Sequence, residues 1–188
     1  MKIGVLALQG DFREHIDLSQ QLGHNASAIR RPEELPALDA LILPGGESTT
    51  ISLLAQSYGL YAPIQEAIRA GLPVYGSCAG MILLADHILD GAADQKTFGG
   101  LDITVRRNAF GRQVDSFEGE IDFVHKPLNA IFIRAPWVEA WGEGVEVLAQ
   151  VSGHPVAVRQ GKLLATSFHP EISGDHTVHR YFFDEICK

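Results

Sequence analysis

The sequence predicts an α/β fold with a mostly parallel central sheet and helices on both faces. Three observations predict it. A strand–turn–helix unit recurs three times before residue 90. The strands in these units are short and almost continuously apolar, as strands covered on both faces must be. The helical segments between them are long enough to carry a crossover from one parallel strand to the next.

The first unit is the apolar run Ile3-Gly4-Val5-Leu6-Ala7-Leu8, stopped by Gln9-Gly10. After it, Phe12, His15, Ile16, Ser19 and Leu22 recur at helical spacing between Asp11 and Leu22. In the second unit Leu41-Ile42-Leu43 ends at Pro44-Gly45-Gly46, and Ser48-Thr49-Thr50 is placed to cap a helix carrying Ile51, Leu53 and Leu54. The third has a helix over Pro63 to Ala70 closed by Gly71. Leu72-Pro73-Val74-Tyr75 then enters Gly76-Ser77-Cys78-Ala79-Gly80 and an apolar helix from Met81 to Ala85. After about residue 98 strands follow at short intervals, at 101–105, 120–124, 130–134, 146–151, 155–160 and 162–168. They suggest an antiparallel edge or an added ribbon, with a hairpin at Gln160-Gly161. Val178, Tyr181, Phe182 and Ile186 mark a final helix over 176–186. No linker or low-complexity tract divides the chain, so residues 1–188 are expected to form a single domain.

Composition narrows the function classes. With 46% hydrophobic residues and 20% charged ones the chain suits a folded globular protein rather than a disordered one. A formal charge of −8 argues against a nucleic-acid surface, which needs a concentrated positive patch. Apolar runs are broken well before the roughly 18 residues of a membrane span, so no membrane partner is expected. Met1-Lys2 leads straight into the first strand without the pattern of a secretory signal, which points to the cytoplasm. Cys78 and Cys187 sit in unlike surroundings and suggest no disulfide framework.

The candidate nucleophile is Cys78. Small residues on both sides permit a sharp strand-to-helix elbow, which would expose its sulfur at the carboxyl end of the sheet beside a helix N-terminus. Taken alone the segment also admits a buried structural cysteine. Cys187, next to the carboxyl end, lacks such a context. Phe168-His169-Pro170-Glu171 follows a strand. His169 is placed to take the Cys78 proton, and Glu171 to fix its tautomer through the other ring nitrogen.

Other motifs carry less. His176 and His179, with Asp175 and Asp184 nearby, read as a polar helix face rather than a metal cluster, and no metal is expected. His15, His24, His87, His125 and His154 have no evident sequence partners. The Pro44-Gly45-Gly46 turn admits two readings, a structural turn or an oxyanion site in which the amides of Gly46 and Ala79 face a reacting carbonyl. It is neither a nucleotide P-loop nor a dinucleotide fingerprint. Val105 to Gln113 forms the main basic patch, with Arg106, Arg107 and Arg112. Arg134 ends another strand, and each arginine suits either a carboxylate ligand or a surface ion pair.

Assembled, these pieces resemble the class I glutamine amidotransferases, and among them the glutaminase subunits of two-protein pyridoxal 5'-phosphate synthases. The resemblance is carried by Leu8-Gln9-Gly10, Arg13-Glu14-His15, the segment Leu43 to Thr50, Gly76 to Gly80, Arg107 to Glu118, Phe132 to Pro136 and Ser167 to Glu171, which span almost the whole chain. It implies an alpha/beta-hydrolase-like three-layer fold and hydrolysis of L-glutamine to L-glutamate and ammonia through a Cys78 thioester, with His169 and Glu171 completing the triad. Gly46, Glu47, Ser48, Arg107, Ile133 and Arg134 are then substrate-binding residues, with Arg134 the carboxylate clamp and Glu47 the ammonium contact. Gln9 and Gly10 would respond to the partner.

That partner is implied to be a barrel-shaped synthase subunit in an assembly of twelve plus twelve chains. It would combine the ammonia with ribose 5-phosphate and glyceraldehyde 3-phosphate. The chain itself would carry no cofactor. An amidotransferase serving another acceptor, or a regulatory subunit without turnover, are the competing readings.

Overall fold

The computed structural model describes residues 1–91, 95–110 and 116–188. The first strand, β1 (Lys2–Leu6), is followed by helix α1 (Phe12–Gln21), strand β2 (Asn25–Ile29) and a 3-10 stretch at Pro32–Ala37. Strand β3 (Ala40–Leu43) leads into α2 (Ser48–Ser57) and α3 (Tyr61–Arg69), and β4 (Val74–Ser77) into α4 (Ala79–Leu84). Strands β5 (Ala85–Leu89), β6 (Leu101–Arg106), β7 (Ser116–Phe123), β8 (Lys126–Ile133), β9 (Trp137–Trp141), β10 (Glu146–Val151), β11 (His154–Gln160) and β12 (Leu163–Thr166) follow. The described chain ends in α5 (Pro170–Ser173), α6 (Thr177–Tyr181) and a π-helical turn, Phe182–Ile186.

Seven strands form the central sheet in the order β10-β11-β12-β4-β3-β1-β2. The pairs β1–β2, β1–β3, β3–β4 and β4–β12 are parallel, whereas β11–β12 and β10–β11 are antiparallel, so the expected mostly parallel sheet has an antiparallel edge. Alternation along each strand divides the core between its two faces. Leu41 and Leu43 of β3 face the side covered by α2, α3, α4 and the small sheet β5-β6-β9. Ala40 and Ile42 face the side covered by α1, α6, the π turn and the β7–β8 ribbon. Both layers are dry: Leu41, Ile42, Leu43, Tyr75, Phe168 and Phe182 are fully buried. Each such side chain supplies about 1.5–3 kcal/mol of transfer free energy.

Register places the loops. Leu43 pairs with Gly76 and Thr166 with Ser77, so the chain leaves β3, β4 and β12 at one edge of the sheet, beside the exit from β1. Ligands of open α/β sheets bind in such a crevice outside the carboxyl ends of the strands.

Several expected elements shift. Glu47, rather than Ser48 to Thr50, caps α2, its carboxylate accepting from the amides of Thr49 and Thr50. The final helix is split, α6 passing into the π turn. The polar-face reading of His176 and His179 fails at His179, which is wholly buried. No helix among the described residues is long and apolar enough to cross a membrane. Part of the basic patch, including Arg112, lies outside the described residues.

Candidate functional site

Cys78 sits where β4 turns into α4, with φ 48° and ψ −97°. Side chains rarely tolerate this region, and the neighbouring glycines explain how it is reached. A Cβ on Gly80 would strike the Leu43 carbonyl, and one on Gly76 would strike the backbone of Gly80. The small residues therefore let α4 press against β3 and β4, and the Cys78 amide donates to the Thr166 carbonyl at 2.7 Å. The sulfur is buried toward β8, 3.9 Å from the Ile133 carbonyl oxygen.

His169 follows β12 and is anchored through its own amide, which donates to Ile131 of β8 at 2.9 Å. Its Nδ1 lies 2.6 Å from Glu171 Oε1. An ionised carboxylate only accepts, so Nδ1 carries the proton and Nε2 is left for the thiol. Burial alone would lower the imidazole pKa, but hydrogen bonds to Asp11, Cys78 and Glu171 outweigh it and push it up to about 12. Glu171 is almost completely buried and is held from its other side by Ser77, whose hydroxyl donates at 3.2 and 3.3 Å. The ring packs so closely on Gly45 that a Cβ there would overlap it.

The three expected residues are thus brought together, and the structure adds three that sequence spacing did not reveal. Asp11 Oδ2 lies 3.1 Å from His169 Nδ1. Behind Glu171, His15 is fully buried with Nε2 3.6 Å from Glu171 Oε2, and its Nδ1 meets His179 Nε2 at 2.9 Å. Burial first, and then the neighbouring histidines, hold His179 well below the usual histidine range, so it is neutral at pH 7. The partners of these groups lie more than 150 residues away in sequence, where no local pattern could signal them.

A cleft of about 350 Å³ opens over the sulfur, and its lining includes Gln9, Gly46, Glu47, Ser48, Ala79, Arg107, Ile133 and Arg134. Every expected substrate residue therefore borders it. Arg107 is already engaged, donating to Gln95 Oε1 at 2.8 Å and to Glu47 Oε1 at 3.2 Å. Arg134, exposed just after β8 with φ 42°, borders the cleft and makes no ion pair among the described residues. Glu47 lies on the same lining. Partial burial would raise its carboxyl pKa, but hydrogen bonds from Thr50 and Thr49 hold it below the usual range, so the group is charged.

Gln9 and Gly10 brace the glycine turn. The Gln9 side-chain carbonyl accepts from the Glu47 amide at 2.7 Å. Gly10, at φ 99°, lies so near the Gly45 carbonyl that no Cβ fits between them. Asp11, His169 and Glu171 bring their ligand atoms within 4.8 Å of one another, spacing that a metal could use. Yet the imidazole nitrogen shared by the two carboxylates carries a proton in this arrangement, and a protonated nitrogen is not a ligand.

Comparison with known proteins agrees with this geometry. Residues 5–188 match the SNO glutamine amidotransferase family. A protein named pyridoxal 5'-phosphate synthase subunit PdxT from a Nocardioides species is 61% identical, over 99% of this chain and 96% of its own. A protein of the same name from Mycobacteroides abscessus is 60% identical, over 98% and 96%. A crystal structure of a glutamine amidotransferase superposes with a TM-score of 0.91 at 49% identity, covering 97% of each chain. A putative GMP synthase subunit from Thermoplasma acidophilum, 17% identical with a TM-score of 0.69 over 100% of this chain and 94% of its own, shares the fold. By sequence and by structure, the chain belongs to the SNO glutamine amidotransferase family.

Proposed function

We propose that the chain is the glutaminase of a pyridoxal 5'-phosphate synthase, hydrolysing L-glutamine at Cys78 and passing the ammonia to a separate barrel-shaped synthase subunit. The observation that carries the chemistry is the Cys78 elbow facing a buried His169–Glu171 pair, in a chain about 60% identical to proteins named as subunits of that synthase.

Glutamine enters with its carboxylate on Arg134 and its ammonium toward Glu47, which points its side-chain amide at the sulfur. The Cys78 proton already resides on His169 Nε2, and the thiolate so formed is favoured by the charged imidazole and the start of α4. It attacks the amide carbon. The amides of Gly46 and Ala79 take the developing oxyanion, an interaction worth about 3–4 kcal/mol where it has been removed elsewhere. Collapse breaks the carbon–nitrogen bond as His169 protonates the departing ammonia, leaving a γ-glutamyl thioester. Water, deprotonated by the same imidazole, hydrolyses it to glutamate and restores the thiol. Glu171, held by the Ser77 hydroxyl, keeps Nδ1 protonated throughout.

Residues 1–188 act as one glutaminase domain, since both core layers are built on the same sheet. The working assembly is twelve glutaminase with twelve synthase chains, and docking acts through Gln9 and Gly10 because those residues hold the turn that supplies Gly46. Two unpaired cysteines, one of them the nucleophile, fit the reducing cytoplasm. The test is turnover by Cys78→Ala and His169→Asn within the complex. Both are expected to lose glutaminase activity while still docking, and wild-type turnover by either would remove that residue from the mechanism.

A further inference from the structure

Asp11 occupies the N-cap position of α1, where an aspartate ordinarily accepts from the first-turn amides. Here the side chain makes no capping bond. It turns into the cleft instead, and Oδ2 reaches His169 Nδ1 at 3.1 Å, sharing with Glu171 a nitrogen that has one proton to give. The second oxygen, Oδ1, is buried without a partner among the described residues. Leaving both a helix end and a buried carboxylate oxygen unsatisfied is unfavourable for folding, so contact with the imidazole is what the arrangement secures.

The backbone of Asp11 belongs to the turn that braces the oxyanion loop. Its amide donates to the Gly45 carbonyl at 3.3 Å, immediately after Gly10 and Gln9 have engaged the same loop. One three-residue turn therefore touches both the glycine loop and the base.

We propose that Asp11 is a positioning residue, a second carboxylate that steadies the charged His169 imidazole and ties the state of the base to the placement of the Gln9–Asp11 turn. The inference rests on the assignment of Cys78 and His169 above. The ionisable groups facing the imidazole are Cys78 from the elbow, Glu171 from α5 and Asp11 from the β1–α1 turn, with His15 of α1 behind Glu171. Glu47, Arg107 and Arg134 line the cleft across from it. Asp11 itself is charged: burial would raise its pKa, but the hydrogen bond from His169, with the charges of His15 and His169, holds it down at about 2. When the turn moves, the imidazole loses one of its anionic neighbours and gives up its proton more readily.

The test is the pH dependence of glutaminase kcat/KM for the chain in complex with its synthase, comparing wild type with Asp11→Asn, Asp11→Ala and Asp11→Glu, each checked for folding by circular dichroism. Asparagine keeps the shape and removes the charge. The alkaline fall in activity, where the imidazolium is lost, is expected to move to lower pH by about one unit in the Asn and Ala variants and to return in Asp11→Glu. A uniform drop in kcat with the alkaline fall unmoved would show a merely structural residue and overturn the proposal. Titration of the His169 imidazole by NMR in Asp11→Asn gives the same answer without turnover: an unshifted ring refutes the role. If Cys78→Ala and His169→Asn are inactive while the Asp11 variants show no shift, the inference alone fails. If those two variants turn over glutamine, the site assignment fails first.

Discussion

Exchanging Cys78 for glycine and for alanine tests whether the elbow stores strain. At an ordinary position glycine is the less stable choice by about 0.5–1 kcal/mol, because it loses more backbone freedom on folding. Cys78 holds φ 48° and ψ −97°, a conformation costing a residue with a Cβ roughly 1–3 kcal/mol and a glycine almost nothing. Both substitutions remove the same sulfur, so its lost contacts cancel between them. Strain relief less the entropy term leaves Cys78→Gly more stable than Cys78→Ala by up to about 2.5 kcal/mol, the reverse of the usual order. Urea unfolding followed by circular dichroism reads the difference, and both variants are to be inactive toward glutamine. If Cys78→Ala is the more stable, the elbow is not strained and the nucleophile is not held by a strained backbone.

Three other perturbations follow from the same geometry. Gly10→Ala places a Cβ against the Gly45 carbonyl at φ 99°, so the glycine turn must move; the expected result is a kcat loss of about 100-fold with the protein still folded, measured as glutamate release. Arg134→Ala is expected to raise KM for glutamine much more than it lowers kcat, with unfolding unchanged; an unaltered KM would remove it as the carboxylate clamp. His179 is neutral in the folded protein and takes a proton when unfolded below about pH 6.5, so acid favours the unfolded state. It therefore contributes a loss of stability of up to about 1.4 kcal/mol per pH unit as pH falls below that point. Urea unfolding at pH 5.5 and 7.5 should show a smaller difference in His179→Asn than in wild type.

Much of this architecture was legible because its signals are local. The runs Ile3 to Leu8 and Leu41 to Leu43 announce buried strands, and the glycine punctuation at Gly45-Gly46 and around Cys78 marks sharp exits from them. Strand β2 was not legible, since Asn25-Ala26-Ser27-Ala28-Ile29 offers little apolar surface and is a strand through its pairing with β1. Strand β5 was hidden because Ala85 continues the apolar run of α4, and what ends that helix is the pairing of Ala85 with Leu101. The site divides in the same way. Cys78 at its elbow and His169 two residues before Glu171 are sequence patterns, whereas Asp11, His15 and His179 acquire meaning only when the sheet brings β1 and β12 to one edge. The cap of α2 is Glu47 rather than the Ser48 to Thr50 segment, and α1 begins at Asp11 without a side-chain cap. Both residues line the cleft, where ligand chemistry competes with local preference.

Glutamate release from L-glutamine by the purified chain, measured with and without the synthase subunit and alongside Cys78→Ala, tests whether Cys78 turns over glutamine under the control of a docked synthase. Release that requires Cys78 and rises on docking is the predicted result. A folded, docked complex that yields no glutamate, or one whose Cys78→Ala form yields as much as wild type, would contradict it.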